Sequence, residues 1–467
     1  MFQLSANARL SCLLAGAMLF LGACAETPNP APELVAATPT QPPQQTQQNP
    51  AQAQAAAPVA PALNFADWRA GFRAKALQAG IQPQVFDQAF AGVTPDLSVV
   101  KADGAQPEFT RPVWEYLDGA ISPLRVRKGQ ALLAEHAATL DAIEQRYGVD
   151  RETLVAIWGM ESSFGQFMGE QSVIRSLATL AYEGRRPRFA EDQLLAALQI
   201  LQSGDISSSG LRGSWAGAMG QTQFIPTTYL THAVDFDGDG RRDIWNSSAD
   251  ALASAAHYLQ ASGWQKGRAW GIQVALPSGF DYALADTEVR KTYAEWYAHG
   301  VKGTPTNVDP NDTGYLLLPA GHRGPAFLVF RNFGAILKYN NSSSYALAVG
   351  LLGQRLGGGG PLLASWPKDE RPLGRSERIA LQEGLAARGY EPGPADGIIG
   401  ANTRRAVRAF QQSLGLPADG YPTPALLQQL RAQADAIAQA YEARDTARAA
   451  REAMLLCDRV NAYVDAN

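Results

Sequence analysis

The stretch Asp150-Arg-Glu-Thr-Leu-Val-Ala-Ile-Trp158-Gly-Met-Glu161-Ser-Ser-Phe-Gly165 decides how the rest of this 467-residue chain is read. Asp150 is a residue type that caps helix N-termini, and Leu154, Ile157, Trp158 and Glu161 then fall at i, i+3, i+4 and i+7. The helix predicted here therefore carries a carboxylate on its apolar stripe. Ser162-Ser163-Phe164-Gly165 ends it, which leaves Glu161 near its C-terminus. Desolvation and the negative end of the helix dipole both disfavour a charged carboxylate there and push its pKa upward. A carboxylic acid still protonated near neutral pH can donate to a glycosidic oxygen. On this stretch alone, a structural glutamate satisfied by a buried partner is an equal reading.

Downstream, Gly213-Ser214-Trp-Ala-Gly-Ala-Met-Gly-Gln221-Thr-Gln223-Phe-Ile-Pro226 combines small residues, which let a ligand approach the backbone, with the hydrogen-bonding side chains of Ser214, Gln221 and Gln223. Such a segment can line a groove for a hydroxyl-rich ligand. Asp235, Asp237, Asp239, Gly240 and Asp243 occupy places one, three, five, six and nine of an EF-hand loop, with Arg241 placed to offer a carbonyl at seven. The twelfth place departs from the pattern: Asn246 stands where a bidentate Glu belongs, and Asp250 follows four residues later. A longer loop closed by Asp250 around a structural calcium ion is one reading, and a solvated acidic turn or weak sodium binding is the other. A third segment, Tyr339-Asn340-Asn-Ser-Ser-Ser-Tyr345, is too polar to be packing alone.

Together Glu161-Ser-Ser-Phe-Gly165 and the Gly213–Pro226 segment resemble the lytic transglycosylase superfamily. With Tyr339-Asn340, Tyr345-Ala346, Arg185-Arg186-Pro187 and Asp235-Phe-Asp-Gly-Asp-Gly240 the resemblance narrows to the membrane-bound lytic murein transglycosylase B family, over about residues 65 to 355. It implies a mainly α fold with a lysozyme-like catalytic domain containing an EF-hand-like loop. Glu161 would be the sole catalytic acid and base, with Ser214 and Gln223 beside it. Tyr116, Tyr258, Tyr339 and Tyr345 would line sugar subsites with Asn340, and Arg185 and Arg186 would meet the substrate's peptide or lactyl groups. A tyrosine suits a subsite because its face packs on a pyranose while its hydroxyl reaches the polar rim. The implied metal set is Asp235, Asp237, Asp239, Arg241, Asp243 and Asp250, and no cofactor enters the chemistry. The implied reaction cleaves the β-1,4 bond between N-acetylmuramic acid and N-acetylglucosamine in peptidoglycan glycan strands without water, giving 1,6-anhydromuramyl ends. A hydrolytic muramidase, with Glu170, Glu183 or Asp192 approaching Glu161, and a non-catalytic wall-binding lipoprotein are the alternatives.

The flanks agree with such a substrate. Arg9 is the sole charge before an apolar run from Leu10 to Leu21, too short to span a bilayer, and Leu21-Gly-Ala-Cys24 resembles a lipobox, with Cys24 the lipidated first residue of the mature protein. Ala25 after that cysteine implies an outer-membrane lipoprotein facing the periplasm; an ordinary signal peptide with an incidental cysteine is the alternative. Removing residues 1–23 takes away Arg9 and moves the formal charge from −4 to −5. Residues 24–62 hold no Lys or Arg and are rich in Pro, Gln and Ala, a composition unable to offset its ordering entropy. They form a tether that reaches about 35 Å as a coil and about 120 Å at most when extended. The catalytic domain is expected over 63–366, ending at Gly357 to Gly360 and the prolines after it. Residues 367–431 carry two helical segments (376 to 388 and 402 to 414), a short third helix from Pro424 and a twice-repeated Ala-Asp-Gly turn. Asp396-Gly-Ile-Ile-Gly400-Ala-Asn-Thr403 to Phe410-Gln411 resembles the type 1 peptidoglycan-binding domain, a three-helix module in which Val407 and Phe410 are core. Residues 432–467 read as an Ala-rich helical tail with Cys457 on its buried face. Lys and Arg number 40 against 44 Asp and Glu, mixed along the chain, which excludes a nucleic-acid partner, and three distant cysteines exclude a disulfide scaffold. Partners are expected to be glycan strands, the outer membrane through the lipid anchor, and other cell-wall enzymes.

Overall fold

A computed structural model describes residues 64–104, 111–304, 306–442 and 446–465. Cys24 and the tether lie outside the described residues. Two apolar clusters build the helical body. In one, Phe72 and Phe86 from helices Phe65–Gln78 and Pro83–Ala89, with Phe90 at the C-cap of the second, pack on helices Val173–Glu183 and Pro187–Ser203. In the other, helix Arg151–Ser162 lies against helices Ala137–Tyr147, Ser248–Ala261 and Ser343–Leu356. The sequence places a single apolar stripe on Arg151–Ser162, yet every residue from Thr153 to Gly159 is buried. A helix apolar all round belongs in the middle of a core, and this one is enclosed on every side along that stretch.

Residues 271–329 contribute a five-stranded antiparallel sheet that the helical reading of this region does not anticipate. Its order is Lys291–Thr292, Thr313–Leu317, Ala326–Val329, Gly271–Ala275, Lys302–Gly303. Alternation runs through the register: Tyr315, Phe327 and Val329 face the helical core, while Ile272, Leu316 and Leu328 face a second layer with Phe280 and Trp296. Because both faces are covered, apolar residues occupy successive positions and the period-two pattern vanishes from the sequence.

The C-terminal module forms helices Arg375–Ala386 and Ala401–Ser413 as expected, around Leu381, Leu385, Val407 and Phe410. Each Ala-Asp-Gly turn is clamped in the same way. Gly397 N–H donates to Oε1 of buried Gln382, and Gly420 N–H to Oε1 of buried Gln411, both at 2.8 Å. The helix from Pro424 is not short: it runs unbroken to Glu442, past the expected boundary at 431, and a further helix spans Thr446–Asp465. Cys457 is exposed rather than buried, because Glu452, Leu456 and Arg459 take the sheltered face of that last helix. The module is tied to the sheet region by Arg408, whose guanidinium meets Asp286 at 2.9 Å with both side chains largely buried, and by Asp419, which accepts from His322 Nδ1 at 2.6 Å. No helix among the described residues is long and apolar enough to cross a membrane.

Candidate active site

Helix Arg151–Ser162 ends in three successive residues of positive φ: Ser163 at 50°, Phe164 at 63° and Gly165 at 77°. For the two with side chains this costs on the order of 1–3 kcal/mol each, so the surroundings must impose it. Ser162 Oγ donates to the Gln221 carbonyl at 2.8 Å and accepts from Gly165 N–H at 2.9 Å. The Phe164 ring fills space that a Cβ at Gly159 would invade, at 2.8 Å, and the Lys128 ammonium lies over its face at 5.3 Å. Ser162 is a positioning residue that sequence reasoning missed. Its only signal was a hydroxyl directly after Glu161, on a turn that had to be buried.

Glu161, in the last turn before this elbow, is packed round by protein and still reached by solvent. Burial pushes its pKa up to about 7, while the Tyr345 hydroxyl, donating to Oε1 at 2.5 Å, pulls the other way. No neighbouring carboxylate adds to the shift. Tyr345 is only 4% exposed, and burial, with the charge of Glu161, holds its own pKa far above the ordinary phenol value. It remains a neutral donor to the carboxyl; its ring has no face left for a sugar. Tyr339 feels the same carboxyl. Its hydroxyl donates to the Thr222 carbonyl at 2.8 Å, and its ring stands edge-on to Tyr258 at 5.1 Å. Tyr258 donates to the Lys338 carbonyl at 2.5 Å, and half-buried Tyr116 lies beside Tyr345.

The structure thus gathers Glu161, Tyr116, Tyr258, Tyr339 and Tyr345. The Gly213–Pro226 loop joins them through Ser162 and through Gln223, whose backbone has a φ of 49° and whose Nε2 donates to the Met168 carbonyl at 3.0 Å. Ser214 Oγ accepts from the Ala216 and Ala218 N–H groups, which fixes the loop's fold. Asn340 is exposed at the C-cap of helix Arg331–Tyr339. Arg185 and Arg186 lie exposed at the head of helix Pro187–Ser203, Arg185 paired with Asp103 at 3.3 Å and Arg186 over the Phe189 ring at 5.0 Å. Among the contacts of the described residues, neither arginine reaches Glu161. Glu170, Glu183 and Asp192 are all exposed.

A cavity of about 1190 Å³ opens at the opposite end of the catalytic helix, lined by Glu144, Asp150, Glu152 and the strand Gly271–Ala275. Asp150 holds the N-cap position without making the side-chain cap, and burial beside Glu144 and Glu152 raises its pKa to about 6. Two raised carboxyls therefore sit at the two ends of one helix, about 16 Å apart along its axis. Glu161 is the one that a tyrosine hydroxyl bonds and a second buried tyrosine neighbours.

In the acidic loop the carboxylates of Asp235, Asp237 and Asp250 converge within 4.8 Å of one another. Asp250 is fully buried, and burial raises its pKa although it accepts from the N–H groups of Phe236, Asp237 and Asp243. All four aspartates of the loop proper also accept from its backbone: Asp235 from Gly238 and Gly240 N–H, Asp237 from Asp239 N–H, Asp239 from Arg241 N–H, and Asp243 from the Trp245 and Asn246 N–H groups. Three gathered carboxylates, one of them buried, suit a hard divalent cation.

Residues 64–354 match the transglycosylase SLT domain and residues 374–430 a putative peptidoglycan binding domain. The chain is 33% identical over 240 residues, half its length, to membrane-bound lytic murein transglycosylase B of Escherichia coli K12, and spans 64% of that protein. It is 63% identical to Pseudomonas aeruginosa SltB3 in a crystal structure with NAG-anhNAM-pentapeptide. That alignment covers 79% of this chain and 99% of that one with a TM-score of 0.77, and SltB3 has also been crystallised with NAG-NAM-pentapeptide. Escherichia coli Slt35 in complex with calcium is 28% identical, with a TM-score of 0.55 over 62% of this chain and 92% of that one. With an SLT domain match over more than half its length, the chain belongs to the SLT-domain lytic transglycosylases and carries a peptidoglycan-binding module behind that domain.

Proposed function

We propose that this protein cleaves the β-1,4 bond between N-acetylmuramic acid and N-acetylglucosamine in peptidoglycan by intramolecular transfer, with Glu161 as its only acid and base. The observation that carries the reading is Glu161 itself, held near pKa 7 by burial, bonded by Tyr345 and, among the described residues, perturbed by no second carboxylate. Protonated Glu161 donates to the leaving glycosidic oxygen as the C1–O bond breaks. The resulting carboxylate, steadied by the Tyr345 hydroxyl, takes the proton of the muramyl C6 hydroxyl as that oxygen bonds to C1. The proton returns to Glu161, a 1,6-anhydro ring closes, and no water is consumed. Positive charge at C1 is met by the substrate's own N-acetyl group. A hydrolase needs a second carboxyl to activate water or to form an adduct, and the exposed positions of Glu170, Glu183 and Asp192 speak against that rival. SltB3 has been crystallised with NAG-anhNAM-pentapeptide, a sugar bearing the kind of anhydro ring that such a reaction leaves.

Around this chemistry we place Ser214, Gln223, Tyr116, Tyr258, Tyr339 and Asn340 along the glycan groove, and Arg185 and Arg186 farther out, toward lactyl or peptide groups. Asp235, Asp237 and Asp250 would hold a structural Ca²⁺, which would screen their repulsion and take no part in the reaction. Cys24 would carry the lipid that holds the enzyme at the outer membrane, facing the periplasm. The direct test is Glu161→Gln, which keeps the shape and the Tyr345 contact but cannot shuttle a proton. Turnover of purified sacculi should fall by a factor of about 10³ or more, while sedimentation with sacculi persists. Near-normal turnover would remove Glu161 from the reaction.

A further inference from the structure

The segment after the catalytic elbow presents a feature that the reaction above leaves unused. Phe167 is 73% exposed, a large apolar ring in solvent five residues after Ser162. Its backbone is not loose. Phe167 N–H donates to the Ser162 carbonyl at 2.9 Å. The next residue, Met168, gives its carbonyl to Gln223 Nε2 at 3.0 Å. Gly169 then presses on the Gly213–Ser214 backbone so closely that a Cβ there would stand 2.2 Å from the Gly213 carbonyl carbon. Phe167 is thus pinned between the catalytic helix on one side and the groove-lining loop on the other, while its side chain meets almost nothing of its own chain. A singly exposed ring needs no cover of its own, but this one is held on a rigid mount between the elbow after Glu161 and the Gly213–Pro226 loop, where a ligand lying along that loop would meet it. The ligand of that groove is a chain of pyranose rings, whose axial C–H faces match an aromatic surface.

We propose that Phe167 is a specificity residue: a flat apolar platform at the lip of the groove on which one sugar ring of the glycan strand lies when Glu161 engages the bond. The inference rests on the transglycosylase reading and assigns the contact to the sugar backbone of the strand, not to its stem peptides. Stacking of this kind adds binding that is equal in ground and transition states, so it acts on KM and leaves kcat nearly untouched.

The test uses the full chain and glycan strands stripped of their peptides. Phe167→Ala should raise KM about fivefold to tenfold with kcat within about twofold and an unchanged melting temperature. Phe167→Tyr and Phe167→Trp, which keep a flat ring, should restore KM; Phe167→Leu, apolar but not flat, should not. An unchanged KM in Phe167→Ala, a collapse of kcat, or failure of both aromatic variants to rescue would overturn the platform. So would a loss seen only on peptide-bearing strands, which would mean that the ring meets the stem peptide. Unmutated protein that releases no anhydro ends would instead remove the reaction on which the platform depends, so the two failures are distinguishable.

Discussion

A carboxyl of ordinary acidity would be ionised at neutral pH and could not donate to a leaving oxygen; desolvation keeps the proton on Glu161, as the proposed reaction requires. The folded pKa lies above the unfolded one, so the acid form is present below about pH 7 and lost above it. The rate should accordingly be flat on the acid side and fall about tenfold per unit on the alkaline side of that value, as a pH profile of kcat/KM would register. The Tyr345 hydroxyl favours the ionised form by donating to it. Tyr345→Phe removes that donor, should move the alkaline limb to higher pH and should lower the plateau rate, since the carboxylate that accepts the C6 proton loses its support. A limb that moves to lower pH, or stays in place, would show that the hydroxyl does not act on the carboxyl. The burial of Glu161 was legible in the sequence, from one acidic residue on an apolar stripe. Its hydroxyl partner was not: 184 residues separate Glu161 from Tyr345, and no local pattern reports such a contact. Family resemblance singled out Tyr345 as a subsite residue; the structure buries its ring and sets its hydroxyl on the carboxyl.

Among the elements, the acidic loop and the sheet show how local and non-local information divide. Spacing alone marked the Asp235–Asp250 loop, where Asn246 at the twelfth place departs from the EF-hand pattern; the fold brings fully buried Asp250 to Asp235 and Asp237. Asp239, Arg241 and Asp243 also read as ligands by position; Asp239 and Asp243 accept from backbone N–H groups of the turn, as Asp235 and Asp237 do. If calcium binds the native loop alone, excess calcium should raise the melting temperature over chelator, by the equivalent of about 2.7 kcal/mol at a hundredfold excess over Kd. Magnesium, which demands a tighter octahedral shell, should do so less. Asp237→Ala should erase the calcium increment and leave turnover below the new melting point intact. Superimposed scans of the unmutated chain in calcium and in chelator would make the loop a plain acidic turn. The sheet, by contrast, stayed hidden because strands of two to five residues covered on both faces have no alternation to read.

Over the whole molecule, the C-terminal module could be recognised from its turns, but its attachment could not. The contact between Arg408 and Asp286 joins positions 122 residues apart, and Asp419 reaches His322 across 97. Both bonds come from positions that the sequence offered only as parts of a helix and a turn. They tie the peptidoglycan-binding module to the sheet region of the catalytic domain. That arrangement serves an enzyme whose substrate is an insoluble network, and a lipid anchor at Cys24 with its tether would keep the enzyme within reach of it. Everything in this account returns to one chemical statement, that the muramyl C6 hydroxyl and not water attacks C1. Digestion of purified sacculi by the intact protein, followed by mass analysis of the released muropeptides, tests it most directly. The account predicts fragments with 1,6-anhydromuramyl ends, about 18 Da lighter than the reducing ends that addition of water would leave. A digest dominated by reducing ends would contradict it and make the protein a muramidase.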